Sequence, residues 1–441
     1  MRKGWGKPQF RMLLAGALGM LCLTPPVQHL ASAPGEMDVP LGQQAVVPIG
    51  IRGCTSVTTS DTSVLQVGQT SNPQSETKYV FVPRELGVAT ISSKVFGFVP
   101  WKSVRVHVVP QSLVYIGGQS IGVRLQSQGA MVVGFQRLGS EQSCPAADAH
   151  LELGDIIVQI NHQAVKTASD IRRLTNQGSV AGEDSVVLLT IKRKAQELQI
   201  PIHPYTDSQG MKHLGVFVRD KTSGVGTLTF YDPSHHRFGA LGHMITDVDT
   251  GLPIDGSGSV YDAEITGVMK GQAGRPGEKR GRFDSSAGQI GEIDKNTPFG
   301  VFGSMNQLPT HLSHSEEFPV ALPNQVHEGQ AKILTVLHGQ KIEEFSVEIE
   351  NLTRQTHPNT KSMVIHVTDA RLLEATGGIV QGMSGSPIIQ DGRLVGAVTH
   401  VFVSDPTRGY GVYAKWMQSE CDSTETAEPQ ANPEIHAAMG R

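Results

Sequence analysis

GGIVQGMSGSPIIQDGRLVGAVTHVFV, residues 377–403, places two serines, Ser384 and Ser386, in one glycine-rich turn. Two short apolar runs follow, separated by Gln390-Asp391-Gly392-Arg393. Turn, strand, tight turn and strand is the pattern of a β-hairpin. A serine held between glycines can also be a nucleophile, because the backbone around it curls tightly enough to aim several N–H groups at one point. Such a point stabilises the oxyanion of acyl transfer. The N–H groups of Gly382 and Ser384 form the expected pair, which makes Ser384 the candidate nucleophile. Ser386 is expected to bond within the turn ahead of Pro387.

A serine hydroxyl is inert without a base and a group that orients the base. Among the 17 histidines, His243 is the leading candidate, since it ends the small-residue run Phe238-Gly239-Ala240-Leu241-Gly242. His235 and His236 read as loop residues beside Pro233. His400, on the strand after the serine turn, is near in space and fits a barrel-edge position equally well. Asp369 ends the alternating run Ser362–Asp369, fifteen residues before Ser384. It is placed to orient the histidine, or to cap the short helix ARLLEA, for which Asp is a favoured residue.

The rest of the chain sets the frame. At 441 residues, with 49 Gly and 25 Pro, it is several domains of short strands and turns. The net charge of −4 and the lack of a long basic run exclude a nucleic-acid partner. Cys22, Cys54, Cys144 and Cys421 form no CxxC pair, so neither a zinc ribbon nor a dithiol redox site is expected, and no metal or cofactor. Residues 1–33 carry Arg2, Lys3, Lys7 and Arg11 before the apolar run Met12–Leu23, the layout of an export signal that is removed or kept as an anchor. Residues 34–110 alternate as short strands of a small β-domain. Residues 206–421 hold about nine more strands, suited to a closed or two-barrel β architecture. Residues 422–441 form a polar tail. DVDTG (247–251) lacks the glycine that a calcium loop needs, and GQAGRPGEKRGRF (271–283) reads as a basic, glycine-rich loop open to nicking or regulation.

Residues 111–205 resemble a PDZ domain. Ser120-Ile121-Gly122-Val123 fits the x-apolar-Gly-apolar loop that receives a peptide carboxylate, and Leu153-Gly154-Asp155-Ile156-Ile157 with a helix near Thr167–Gln177 follows in order. A peptide would add to the sheet edge there.

GVGTLTFYDP, FGALGHMITDVDTG and the long serine segment resemble the S55 peptidase family, and the likeness spans nearly the whole chain. The resemblance implies a chymotrypsin-like double β-barrel serine endopeptidase with His243, Asp369 and Ser384 as its triad. It further implies a protein of endospore formation, exported to the forespore intermembrane space and at first membrane-associated through its N-terminal segment. It would cleave a regulator of a membrane-embedded protease and itself near the N-terminus, with a peptide or that N-terminal segment as PDZ ligand. Two other readings are a PDZ adaptor that binds without cutting and an HtrA-type quality-control protease. In the latter the PDZ module follows the catalytic domain, whereas here it precedes.

Overall fold

The computed structural model describes residues 35–422 except 48–54, 71–77, 141, 178–185, 195, 284–287, 306, 310, 354 and 356. The expected signal segment (1–33), Cys22, Cys54 and the expected polar tail beyond Asp422 lie outside the described residues. Among the described residues no helix is long and apolar enough to cross a membrane.

The chain divides into two compact units, Met1–Ser112 and Leu113–Arg441. The first is the expected small β-domain. One sheet joins 36–40, 99–109, 87–95 and 55–59, and a second joins 45–47, 78–83 and 65–70. Alternation along Gly87–Val95 sends Ala89 and Ile91 inward, to meet Leu65, Phe81, Val104 and Val106 in a shared core.

The second unit opens with β1 (Leu113–Ile116) and the sixteen-residue β2 (Ser120–Phe135). A compact insert follows: α1 (Pro145–Asp148), β3 (Ile156–Ile160), α2 (Ala168–Asn176), β4 (Val187–Arg193) and β5 (Gln196–Ile202). The chain returns through the seventeen-residue β6 (Val216–Asp232). It continues in β7 (Arg237–Ala240), β8 (Gly256–Asp262), β9 (Glu264–Met269), β10 (Glu278–Arg282), β11 (Gly291–Thr297) and β12 (Gly300–Ser304). Strands β2, β8, β11, β12, β7 and β6 pair in that order, and the β6–β2 pairing closes them into a barrel. Ile121, Val123, Leu228, Phe238 and Val301 fill it.

A second closed barrel consists of β13 (Gly329–Val336), β14 (Ile342–Leu352), β15 (Met363–Val367), β16 (Pro387–Gln390), β17 (Arg393–Phe402) and β18 (Asp405–Tyr413). α3 (Ala370–Thr376) precedes the serine turn, and α4 (Ala414–Asp422) follows β18. The double-barrel expectation and the mainly β fold class are met.

The insert occupies the stretch expected to be a PDZ domain; it is built on β2 residues 130–135, with its own core of Ile157, Ile160, Ile171, Leu174, Leu189 and Leu214. Its LGD segment has a folding role: buried Asp155 accepts two bonds from Arg193 (2.8 and 2.7 Å) and one from the Glu152 N–H (2.8 Å). α2 starts on a capping box, in which Thr167 and Asp170 exchange side-chain and main-chain bonds.

The boundaries at 111 and 206 are corrected in one respect. Leu113–Gln128 belongs to the first barrel, so the PDZ domain is inserted in a barrel hairpin and does not merely precede the barrel. Ser120, Ile121, Gly122 and Val123 are accordingly not a carboxylate loop. They are buried in β2 and paired on both edges, Gly122 opposite Val225 of β6 and Tyr261 of β8. A Cβ on Gly122 would stand 2.1 Å from the Phe283 ring, so the glycine serves close packing.

Candidate active site and peptide groove

The serine turn lies where the two barrels meet. Gly385 packs against the first barrel so closely that a Cβ there would be 2.1 Å from the Thr227 carbonyl and 2.5 Å from the Leu241 nitrogen. Its φ of +91° also suits glycine. β6 fastens the turn with three bonds. Thr227 N–H donates to the Ser384 carbonyl (3.1 Å), Thr227 Oγ1 to the Gly382 carbonyl (2.9 Å), and Thr229 Oγ1 to the Gly385 carbonyl (2.8 Å). From the second barrel, Gly385 N–H donates to the Val398 carbonyl (2.8 Å). After this accounting the N–H groups of Gly382 and Ser384 have no partner among the described residues. These are the two donors that the oxyanion expectation names, and they stand beside a half-buried serine.

Ser384 Oγ donates to the Thr399 carbonyl of β17 at 2.8 Å. His243 reaches the same strand from the first barrel. Its neighbour Gly242 (φ +68°) packs on β17, where a Cβ would lie 3.1 Å from Thr399 Cγ2, and the His243 ring sits 4.9 Å from that of His400. Ser384 and His243 thus converge on Val398–His400, without a direct hydrogen bond between them.

His243 Nδ1 is 2.8 Å from the Met244 carbonyl. A carbonyl only accepts, so Nδ1 carries the proton, and Nε2 of the neutral ring is left as the basic nitrogen. Burial pushes the imidazole below its ordinary pKa, against the opposing Met244 bond, and so keeps it neutral at pH 7. A neutral imidazole with a free Nε2 is the form a general base needs. Desolvation, then the nearby His243 and Lys361 charges, take His400 down to about 4.

Asp369 does not hold this imidazole. It is the N-cap of α3, where its carboxylate accepts from Arg371 N–H (3.0 Å), the Arg371 guanidinium (2.9 and 3.1 Å) and Ser346 N–H (3.2 Å). The Arg371 bonds hold it down at about 2. The local capping preference and an adjacent arginine have claimed both oxygens, and the Met244 carbonyl fixes the histidine tautomer instead. Ser386 bonds within the turn through its N–H, which donates to the Met383 carbonyl (2.9 Å), while its buried hydroxyl has no partner among the described residues.

A second x-apolar-Gly-apolar stretch, His213-Leu214-Gly215-Val216, stands at the start of β6. Leu214 is buried in the PDZ core, Gly215 has φ +74°, and the N–H groups of Leu214 and Gly215 have no partner among the described residues. β6 residues 216–219 pair with β2 on one edge only. α2 runs beside the other edge, tied to it by Asn176 on Lys212 N–H (2.8 Å) and by Ala168 N–H on Asp220 (3.1 Å). Repetition of the four-residue pattern was the available sequence signal for this loop.

Asp232, His235 and Asp422 bring potential metal ligands together at the β6–β7 turn. Asp232 there accepts from Ser234 N–H (2.8 Å) and His235 Nδ1 (2.8 Å), which organises the turn without an ion. Cys144 and Cys421 are free thiols.

Two six-stranded barrels with a serine turn at their junction and an inserted PDZ domain define a chymotrypsin-like, PDZ-containing serine endopeptidase. Residues 210–418 match the family described as SpoIVB peptidase S55, and residues 119–203 match the PDZ domain family. No curated protein matches it. Solved structures with some likeness include the active form of the Rv3671c protease of Mycobacterium tuberculosis, 14% identical, with TM-score 0.27, covering 48% of this chain and 78% of that one. The PDZ domain of an SdrC-like protein from Listeria monocytogenes is 23% identical, with TM-score 0.17, covering 21% of this chain and 87% of that one. Human heparin binding protein is 11% identical, with TM-score 0.23, covering 44% and 78%.

Proposed function

We propose that Ser384 is the nucleophile, His243 its base, and the Gly382 and Ser384 N–H groups the oxyanion donors. The supporting observation is the pair of unpaired donors beside a serine that shares a strand with a tautomer-fixed histidine. Rotation about χ1 releases the Ser384 hydroxyl from Thr399 and turns it to His243 Nε2. Oγ then attacks the peptide carbonyl while Nε2 takes its proton. The negative charge that develops on the carbonyl oxygen is met by the two N–H groups. The imidazolium next gives its proton to the leaving amine, and water repeats the sequence to free the acyl group.

The PDZ groove would take a peptide C-terminus, its carboxylate on Leu214-Gly215-Val216 and its strand between β6 and α2. The substrate would be a protein regulator of a membrane-embedded protease, cut outside the cytoplasmic membrane during endospore formation, with self-cleavage near the N-terminus. The description of the matching family and the basic-then-apolar segment at residues 2–23 support that setting.

The test uses purified chain 34–441 and its Ser384→Ala variant, with a fluorescent fluorophosphonate and gel analysis of self-cleavage. Labelling and cleavage by the parent chain alone are expected. A parent chain that does neither leaves the adaptor reading.

A further inference from the structure

Lys279 falls in the stretch 271–283 that the sequence reads as an open basic loop, yet Glu278–Arg282 form β10 and Lys279 is 2% exposed, against the serine turn. Among the described residues its Nζ has no carboxylate partner; it donates to Thr335 Oγ1 of β13 at 2.6 Å. Burying an amine on a single hydroxyl is costly, so the position is one where a long side chain is needed. Its stem lies against Gly382: a Cβ built there, at φ +90°, would be 3.1 Å from Lys279 Cβ and 3.4 Å from Cδ.

The main chain of β10 completes the contact. Lys279 N–H donates to the Gln381 carbonyl (2.9 Å), and Gln381 N–H donates to the Gly277 carbonyl (2.8 Å). In a planar trans peptide the carbonyl and the following N–H point to opposite sides. With the Gln381 carbonyl held toward β10, the Gly382 N–H is turned away from it and stays unpaired. The next carbonyl, that of Gly382, is held by Thr227. A flip of the 381–382 peptide would break the Lys279 bond and bring the Gly382 N–H toward the buried stem.

We propose that Lys279 is a positioning residue for the peptidase reaction. Its stem, pinned at Thr335, holds β10 against Gln381–Gly382 and so keeps the Gly382 N–H facing the developing oxyanion. This rests on the peptidase reading above and adds that the oxyanion corner is built jointly by the second barrel's turn and a hairpin (β9–β10) extending from the first.

The test measures inactivation by the same fluorophosphonate, separating its maximal rate from its half-saturating concentration. Lys279→Ala removes the stem and is expected to slow the maximal rate at least tenfold, toward the roughly 100-fold cost of losing an oxyanion donor. The half-saturating concentration should stay within about twofold, because ground-state binding does not use the oxyanion corner. Lys279→Met keeps the stem and, like Thr335→Val, loses only the Nζ–Thr335 bond, so both are expected to stay within about threefold of the parent chain; should the alanine form not fold, Lys279→Val, which shortens the stem, takes its place with the same expected slowing. A rate for Lys279→Ala within twofold, or equal slowing in Lys279→Met, overturns the proposal. An unlabelled parent chain overturns the peptidase reading itself, which separates the two failures.

Discussion

Ser384 gives its hydroxyl hydrogen to the main-chain carbonyl of Thr399, 2.8 Å away. The same strand carries His400, whose ring lies against His243. The proposed nucleophile and base therefore both lie against one strand, β17, of the second barrel. The partner is a main-chain carbonyl, an acceptor that no side-chain substitution at 399 removes.

Exchange of the two serines separates their roles. Ser384→Ala loses one ordinary hydrogen bond, about 1 kcal/mol, and should unfold near the parent temperature while its peptidase rate falls by a factor on the order of 10⁴–10⁶. Ser386→Ala removes a buried hydroxyl that has no partner. Its unfolding temperature should be unchanged or higher, and its rate should remain within a few-fold. Calorimetry and fluorophosphonate labelling of both variants check this pair of outcomes.

The two histidines set the acid side of the pH profile. Burial keeps His243 neutral below its ordinary pKa, so the acid limb of the labelling rate should fall below pH 6.5. Stability has the same sign. His400, at about 4 in the fold against 6.5 when unfolded, binds its proton later than the unfolded chain does. The stability it contributes above pH 6.5 is lost as pH falls from 6.5 toward 4. His400→Gln should flatten that part of the curve of unfolding temperature against pH.

The PDZ groove predicts a carboxylate requirement. A library of fluorescent peptides with free C-termini should include binders whose C-terminal amides bind at least tenfold more weakly. Asn176→Ala, which releases Lys212 and with it the loop 213–216, should weaken those binders. Ile121→Ala and Gly122→Ala should instead lower barrel stability, since these residues are buried in β2.

That contrast shows where sequence reading stopped. The serine turn was legible because glycine spacing around Ser384 is a local requirement of its backbone. The two barrels were legible as many short strands, and α2 as the one helix near Thr167–Gln177. The proposed carboxylate loop was not: Ser120–Val123 and His213–Val216 carry the same four-residue pattern. Which one faces α2 depends on β2 pairing with β6 across the whole inserted domain. Lys279 was hidden for the same reason, since its partners Gln381, Gly382 and Thr335 are 56 or more positions away. Asp369 was legible in its local role as a helix cap, and the resemblance to a triad favoured the other one.

Asp369 supplies the last prediction. As N-cap of α3 it satisfies the Arg371 N–H, and α3 leads directly into the serine turn at Gly377. Asp369→Ala should cost about 1 kcal/mol, whereas Asp369→Asn keeps a capping oxygen and should cost only a few tenths. The Arg371 pairing adds a pH dependence. With a folded pKa near 2 against 3.8, the stability it gives is full above 3.8 and lost as pH falls toward 2, and it should be absent from the Asn variant. The Asn variant's labelling rate then isolates the carboxylate's chemistry from its cap. With the Met244 carbonyl fixing the His243 tautomer, this geometry leads to a rate within about tenfold of the parent chain. The roughly 10⁴-fold loss that follows a wrong tautomer would require the carboxylate to leave Arg371 and reach His243 during turnover.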